Sequence, residues 1–432
     1  MDKYNLTSQP MMPNLGKGTE CIKLLVSQIS PDMREAIVPM LFPGLGAYVT
    51  GTEFQYVSNK WYEPSGMMAH LVAVSGMGKG QLTDCIETMM RKFRQHDEAE
   101  LQKLSAWQKL SKAKKESKKE TPDRPDVALF FPPADVTNPA FIQNAMACEL
   151  AGNHAQYYNL PEIEMADQMC GSHKKVSKTI RAIFDCERDG ALRATADGVT
   201  GNPILRANIT FSSTEVAARP FYKNDLFKGT FGRIAFSFKP RGERSGKVPR
   251  QGTYDDAFVE KLNEYIVRLE SCKGRFIIPQ LNKLAEKLSE KVALLADLAD
   301  DDVLWDMGKR SILMAWKNGC ILYLLNGQQW TRSMGEFVEW FVYHDLWSKF
   351  QVFGDMLKIN ADATNRENKG GPKNMLNDLP DSFSQAQLEA LRQSMGKGDG
   401  ADRQLRVWKT RGFITYSAQT GLYTKTEKYL KR

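Results

Sequence analysis

The stretch "HLVAVSGMGKGQL", His70 to Leu82, decides how this chain is read. An apolar run of strand length, from His70 to Val74, enters a glycine-rich turn. Beyond Gly80 the apolar residues recur at helical spacing. Glycines in such a turn let backbone N–H groups point inward at the start of a helix, where the helix dipole also favours negative charge. A lysine there adds charge for the β and γ phosphates of a nucleotide, and the pattern G-x-x-x-x-G-K-[ST] describes the arrangement. Gly78 and Lys79 satisfy it, while Ala73 stands at the first glycine position. Gly80 stands where a serine or threonine would hold Mg²⁺. Ser75, Gly76, Met77, Gly78, Lys79, Gly80 and Gln81 are therefore read as an ATP-binding loop, with Thr83 one turn later as a substitute hydroxyl. Binding of ATP is better supported by these residues than its hydrolysis.

Outward from the loop, strand-like and helix-like segments alternate, which implies a mostly parallel sheet. Residues 18–49 read as two helices, the second opening at Pro31 with Ser30 as its cap. "EFQYVSN" precedes the loop as a strand. After it comes a helix that decays into the Lys-rich "SKAKKESKKETPDRPD". From Lys103 to Arg124 there are 8 Lys or Arg against 3 acids, a solvated or phosphate-facing segment. "DVALFFPP" reads as a buried strand, followed by a helix capped by Asn138, and "HAQYYNLPEIEM" as a strand and its end. "GALRATADGVTGNPILRANITFSSTE" reads as a strand, a turn at Asp197-Gly198 and a long strand, and "GTFGRIAFSF" as one more. From Asp255 to Leu357 four helices follow, then the polar linker "NADATNRENKGGPKN". The tail reads as helix, turn, helix and a hairpin near Gln419 to Gly421, the winged-helix order. The divisions are an N-terminal helical segment (1–60), an α/β core (61–245), a helical domain (246–360), a linker (361–376) and a winged helix (377–432).

Chemistry needs more than a phosphate cradle. An acidic residue at the end of a neighbouring strand holds Mg²⁺ and activates water. Glu162 and Glu164 follow the apolar "YYNL", so Glu162 is the candidate base and tentative Mg²⁺ ligand, with Glu164 or Asn159 assisting. Pro161 stands where an aspartate is expected. "ANITFSSTE" offers Ser212, Ser213 and Thr214 as a water-orienting group at a strand end. Arg233, or else Arg219, is a candidate to reach the γ-phosphate of a neighbouring subunit and stabilise transferred charge. In the tail, residues 403–432 hold 8 Lys or Arg against the single acid Glu427. Arg403, Arg406, Lys409 and Arg411 fall at helical spacing on the helix that would enter a groove, and Lys425, Lys428, Lys431 and Arg432 extend the field.

Composition sets wide bounds. With 432 residues, a net charge of +8 and 42% hydrophobic residues, the chain has room for two or three domains and suits a polyanionic partner. It has no run of 18 apolar residues and no apolar signal region at its start, so neither a membrane span nor secretion is expected. The 7 cysteines are scattered without a C-x-x-C pair, as in a reduced cytoplasmic protein. Cys170 and His173 have C-x-x-H spacing, but no second pair completes a zinc site.

Taken in order, "SGMGKG", the strand with "PEIE", the hairpin and polar-ended strand, "GTFGRIAFSF", the helical bundle and the winged helix resemble the virulence-associated-protein-E-like and primase-associated ATPases of bacterial mobile elements. These are related to AAA+ replicative helicases such as superfamily 3. The likeness covers roughly residues 10–357. It implies an α/β P-loop AAA+-like core and an ATP- and Mg²⁺-using, DNA-binding motor, helicase-like and assembled as a homo-oligomeric ring such as a hexamer. By position, Gly76, Gly78 and Lys79 take the nucleotide-loop role, Glu162 the acidic role, Ser213 or Thr214 the sensor role and Arg233 the subunit-bridging role. The hairpin around Asp197-Gly198, flanked by Arg193 and Arg206, matches a DNA-touching loop. A separate protein would supply priming. Gly80 and Pro161 depart from the pattern and favour the alternative, a non-hydrolysing DNA-binding initiator or adaptor on a degenerate ATPase fold.

Overall fold

The computed structural model describes residues 6–117, 120, 122–170, 176–192, 198–223, 225–226, 229–242, 250–358 and 374–430. Arg193, Asp197, His173, Lys431, Arg432 and residues 361–373 of the expected linker lie outside them.

Four strands form a wholly parallel sheet in the order Gln156–Leu160, Ala207–Ser213, Met68–Ala73, Ala235–Lys239. They are called here the carboxylate, serine, loop and edge strands. Every residue of the loop and serine strands is buried. Helices cover both faces of a parallel sheet, so its strands read as continuous apolar runs rather than as alternation.

The edge strand borrows its partners from the helix Arg332–Lys358. Asp345 accepts from the Phe236 amide at 2.6 Å, Ser348 accepts from the Phe238 amide at 3.0 Å, and His344 Nε2 lies 2.8 Å from Ser237 Oγ. Asp345 and Ser348 thus satisfy backbone amides that would otherwise template a further strand. Lys349 donates to Asp345 at 2.7 Å, with both side chains buried.

At the other edge, "DVALFFPP" is not the strand expected. The Tyr157 amide donates to the Phe130 carbonyl at 2.8 Å, but Asp97 takes the Phe130 and Phe131 amides, and the Asn144 side chain brackets both backbone groups of Leu129. Side chains thus satisfy what a ladder would have paired, and Pro132 and Pro133 end the segment. The long strand expected before Ser213 is also shorter. It begins at Ala207, and upstream there are isolated antiparallel bridges, Arg188 with Ile204 and Ala191 with Gly201.

After the loop, the helix breaks at Met90 into Gly80–Met89 and Arg91–Glu116. The second piece runs into the Lys-rich stretch, because Lys, Ala and Glu are good helix formers even with no apolar face. Trp107 Nε1 then donates to the Pro122 carbonyl at 2.9 Å, folding the following chain back along the helix.

The four C-terminal helices are Asp256–Ser271, Pro279–Ala299, Asp302–Leu325 and Arg332–Lys358. Asp255 and Asp301 cap the first and third by accepting from Phe258 and Leu304 amides. A short strand between helices, Gly274–Phe276, was not legible. It pairs parallel with Thr52–Gln55, which pairs antiparallel with Trp61–Tyr62. One apolar cluster joins residues from Leu6 to Leu357.

The tail has helices Gln385–Ser394 and Ala401–Thr410 and a three-stranded sheet of Ser382–Phe383, Leu422–Lys425 and Ile414–Ser417. Ser384 and Gln387 form a capping box on its first helix. Its apolar cluster includes Leu298 of the helix Pro279–Ala299, and Trp408 Nε1 donates to the Asp297 carbonyl at 3.2 Å. Among the described residues no helix is long and apolar enough to cross a membrane. Cys21, Cys85, Cys148, Cys272 and Cys320 are free and buried.

Candidate functional site

The loop leaves the carboxyl end of a central strand and enters the helix Gly80–Met89. Gly76 and Gly78 adopt φ of 80° and 86°, left-handed values that glycine takes without steric cost. A Cβ at Gly76 or Gly80 would meet nothing within 4 Å, so this face of the loop is open. At Gly78 a Cβ would come 2.8 Å from Gln81 Nε2. The Gln81 and Leu82 amides are already taken by the Gly78 and Lys79 carbonyls, at 3.1 and 3.0 Å, so what faces the open side is the glycine turn itself with exposed Ser75 and half-buried Lys79, ahead of the positive end of the helix.

Gln81 has another task. It is buried, its Oε1 accepts from the Ser30 amide at 2.8 Å, and its Nε2 donates to Ser30 Oγ at 2.9 Å. Ser30 therefore starts the helix Pro31–Ile37 without capping it through its side chain, as the sequence had suggested; its hydroxyl serves Gln81. The pair anchors the loop to the N-terminal helices.

Register levels the other groups with the loop. Val72 pairs with Ser213, and Leu160 pairs with Phe211, so Glu162 and Ser213 come to the same end of the sheet as Lys79. Burial pushes the Lys79 pKa down, and the Glu162 carboxylate partly restores it. Glu162 and Glu164 are exposed in the turn after Leu160. Asp167 is raised by burial first and by Glu164 second. Ser212 donates to the Pro161 carbonyl at 3.0 Å, which fixes that turn against the serine strand.

Beneath the loop lies a buried chain that sequence reading missed. Ser213 Oγ donates to the Thr214 carbonyl at 3.0 Å and lies 2.8 Å from His70 Nε2, while His70 Nδ1 lies 3.0 Å from the Tyr222 hydroxyl. Ser213 has one proton, so Nε2–H donates to it and Nδ1 accepts from Tyr222, which assigns the tautomer from the network. Burial and then the Lys79 charge lower the His70 pKa to about 3, keeping the ring neutral. Thr214 caps the helix Glu215–Tyr222, accepting from the Ala217 amide at 3.3 Å. A histidine inside an apolar strand was the available signal.

Arg233 is not with these groups. It precedes the edge strand, whose Ala235 pairs with Ala69, and so sits at the amino end of the sheet. There it holds Asp185 at 3.0 Å and the Gly229 carbonyl at 2.8 Å. That end is remote from the loop of its own chain. Arg219 grips Asp355 with both nitrogens, at 2.9 and 2.5 Å, and joins its helix to Arg332–Lys358. Arg206 takes Glu63 in the same forked manner, at 2.6 and 2.8 Å.

In the tail, Ala401, Gln404, Leu405 and Trp408 are buried, which leaves Arg403, Arg406 and Lys409 exposed on the opposite face of their helix. Arg403 lies 3.5 Å from Asp302, and Arg411 Nε donates to Asp297 at 2.7 Å. Arg406 and Lys409 have no ion pair among the described residues. Lys425 is half-buried with its side chain turned inward, donating to the Leu379 carbonyl at 2.7 Å, so it does not extend the exposed basic face as expected.

The donor set fits a nucleotide triphosphate through the open loop and Lys79. Magnesium is commonly held by one or two carboxylates together with substrate phosphates and water, a set that Glu162 can enter. Gly80 adds no oxygen to it, and Thr83 is half-buried one turn on. Among the described residues no group of three or more His, Cys, Asp or Glu could hold a metal unaided.

The fold defines a mixed α/β protein built on a four-stranded parallel sheet with a helical C-terminal half. The chain matches no protein-family model and no curated protein.

Proposed function

We propose that this chain is an ATP-dependent, DNA-binding motor, a helicase-like ATPase of the kind that replicates or mobilises a mobile genetic element. The observation that carries the reading is the meeting of the open glycine loop, Lys79, Glu162 and Ser213 at the carboxyl ends of three adjacent parallel strands. Ligands of open α/β sheets bind outside the carboxyl ends of the strands, where connections diverge. Here the chain leaves the loop strand toward one side and returns to the edge strand on the other.

In this reading Lys79 neutralises phosphate charge, the more effectively for being partly desolvated. Glu162 orients water and takes its proton. ATP bound with Mg²⁺ would supply the phosphoryl group whose transfer drives the cycle. Ser213 commits its proton to the Thr214 carbonyl, so it orients water as an acceptor, with His70 fixing its hydroxyl. Arg233 serves the neighbouring subunit of a ring. The exposed face carrying Arg403, Arg406 and Lys409 contacts DNA phosphates in the manner of a winged helix.

A second reading is favoured by one feature: Gly80 offers the metal no hydroxyl. The chain would then be a non-hydrolysing DNA-binding initiator or adaptor on an ATPase-like scaffold. Steady-state ATP hydrolysis with Mg²⁺, with and without single-stranded DNA, separates the two. DNA-stimulated turnover that vanishes in Lys79→Ala supports the motor. No turnover, with DNA binding intact and lost on deleting 377–432, supports the adaptor, and failure to bind ATP or DNA at all overturns both.

A further inference from the structure

At the end of the sheet opposite the loop, three cations crowd one aromatic ring. Arg233, Arg310 and Lys317 stand 5.5, 5.8 and 4.9 Å from the centroid of Phe184. The carboxylate in their midst is Asp185, and Arg233 engages it at 3.0 Å. Lys317 directs its buried ammonium to the carbonyls of Ser65, at 2.7 Å, and Phe184, at 3.4 Å. Arg310 has neither a hydrogen bond nor an ion pair among the described residues. Its guanidinium is half-buried, and burial first and the Arg233 charge second lower its pKa. Burial lowers the Lys317 pKa, and Asp306, which also lines the cleft described next, is taken by Lys309 at 2.8 Å, so Arg310 is left a half-buried guanidinium with no ion pair of its own among the described residues, a costly arrangement in a protein without a ligand.

Arg310 lines a cleft of about 550 Å³ between the helix Asp302–Leu325 and the turn before the edge strand. Glycines keep its floor bare. Gly229 has φ of 81°, and a Cβ there would come 3.0 Å from Arg233 Nη1; a Cβ at Gly232 would come 3.4 Å from Arg310 Cγ. Tyr56 and Leu313 add apolar wall. A volume of this size is that of a small-molecule site.

We propose that this cleft is an anion site that receives the phosphoryl group of a small phosphorylated ligand, with Arg310 as its principal contact. A phosphoryl group gives Arg310 the anionic partner it lacks, and the guanidinium fork matches its oxygens in a bidentate way. The ligand's remaining part lies against Tyr56 and Leu313. The site is separate from the nucleotide loop and does not depend on what the loop binds.

The test uses the full chain carrying Lys79→Ala, which disables the loop, and inorganic pyrophosphate as the probe, followed by isothermal titration calorimetry. Binding is expected to persist in Lys79→Ala and to weaken by at least about tenfold when Arg310→Ala is added. Arg310→Lys, which keeps the charge and loses the fork, falls between. Arg310→Ala gives up the Phe184 ring contact and relieves the repulsion from Arg233, two small effects of opposite sign, so the melting temperature is expected to stay near that of the parent. Were Arg310→Ala to unfold, Arg310→Gln, which keeps most of the stem and removes the charge, supplies a second reading and is expected to weaken binding as well. Absence of pyrophosphate binding to Lys79→Ala at millimolar concentration overturns the proposal. So does binding that folded Arg310→Ala leaves unchanged.

Discussion

Gly80 is the residue on which the chemistry of the loop turns. Its Cβ position is open, and it occupies the first turn of a helix, where serine is at least as well tolerated as glycine. Gly80→Ser is therefore expected to change stability by less than about 1 kcal/mol, read as an unchanged melting temperature. If the motor reading holds and metal binding limits it, ATP turnover rises in this variant; a working, compensated site changes little or loses activity. His70 makes a pH prediction. Its folded pKa of about 3 lies below the ordinary 6.5, so as pH falls through 6.5 the unfolded chain takes up a proton that the folded chain refuses. Stability is full above that pH and is lost toward 3, with a limiting slope of about 1.4 kcal/mol per pH unit for each such group. His344, also lowered to about 3 by burial, adds a second group of the same sign. The melting temperature should drop between about pH 6.5 and pH 5, and less steeply in His70→Asn, which lacks one of the two protons.

At the scale of elements, the edge strand and the helix Arg332–Lys358 form one unit through Asp345. This carboxylate accepts from the Phe236 amide, pairs with Lys349 and receives the Ser311 hydroxyl. Removing it strands a buried ammonium and an edge amide together. Asp345→Ala should cost about 3–5 kcal/mol in chemical denaturation, well above what a surface ion pair gives. A cost below 1 kcal/mol would show that Lys349 is neutral in the folded chain and that the edge amide finds another partner. The Gln81–Ser30 pair works similarly for the loop. Gln81→Ala leaves the Ser30 amide without its buried acceptor, for a loss of roughly 1–3 kcal/mol, and should weaken ATP binding by loosening the turn. ATP affinity unchanged in this variant would mean that the loop holds its shape without the anchor.

At the scale of the whole molecule, the tail is seated on the helix Pro279–Ala299 through Leu298, Trp408 and the Asp297–Arg411 pair. Trp408 is fully buried, so Trp408→Ala should cost about 3–5 kcal/mol of tail stability. Limited proteolysis is then expected to cut the tail first and leave the α/β part intact. The exposed cations supply a separate measurement. If they contact DNA phosphates, Arg406→Ala and Lys409→Ala should each lower affinity about equally for all sequences and reduce the salt slope by about 1. No change in that slope would assign DNA binding elsewhere or remove it.

Much of this architecture was written along the chain. The glycine loop, the strands that carry Glu162 and Ser213, the four long helices and the helix–helix–hairpin tail all rest on local rules of periodicity, turn chemistry and propensity, which operate over a few residues. What escaped was decided across distance. "DVALFFPP" has strand composition, yet Asp97 and Asn144, on other helices, took its backbone groups. The strand Gly274–Phe276 is too short to announce itself and exists because Thr52–Gln55 lies beside it. The sequence by itself determined which residues carry charge, hydroxyls and conformational freedom. The tertiary structure alone decided that His70 would serve Ser213, that Arg233 would sit at the far end of the sheet, and that Arg310 would join two other cations around Phe184. Those outcomes depend on strand order and helix packing, since a side chain's partners are fixed by what folding brings within a few ångströms and not by its neighbours along the chain.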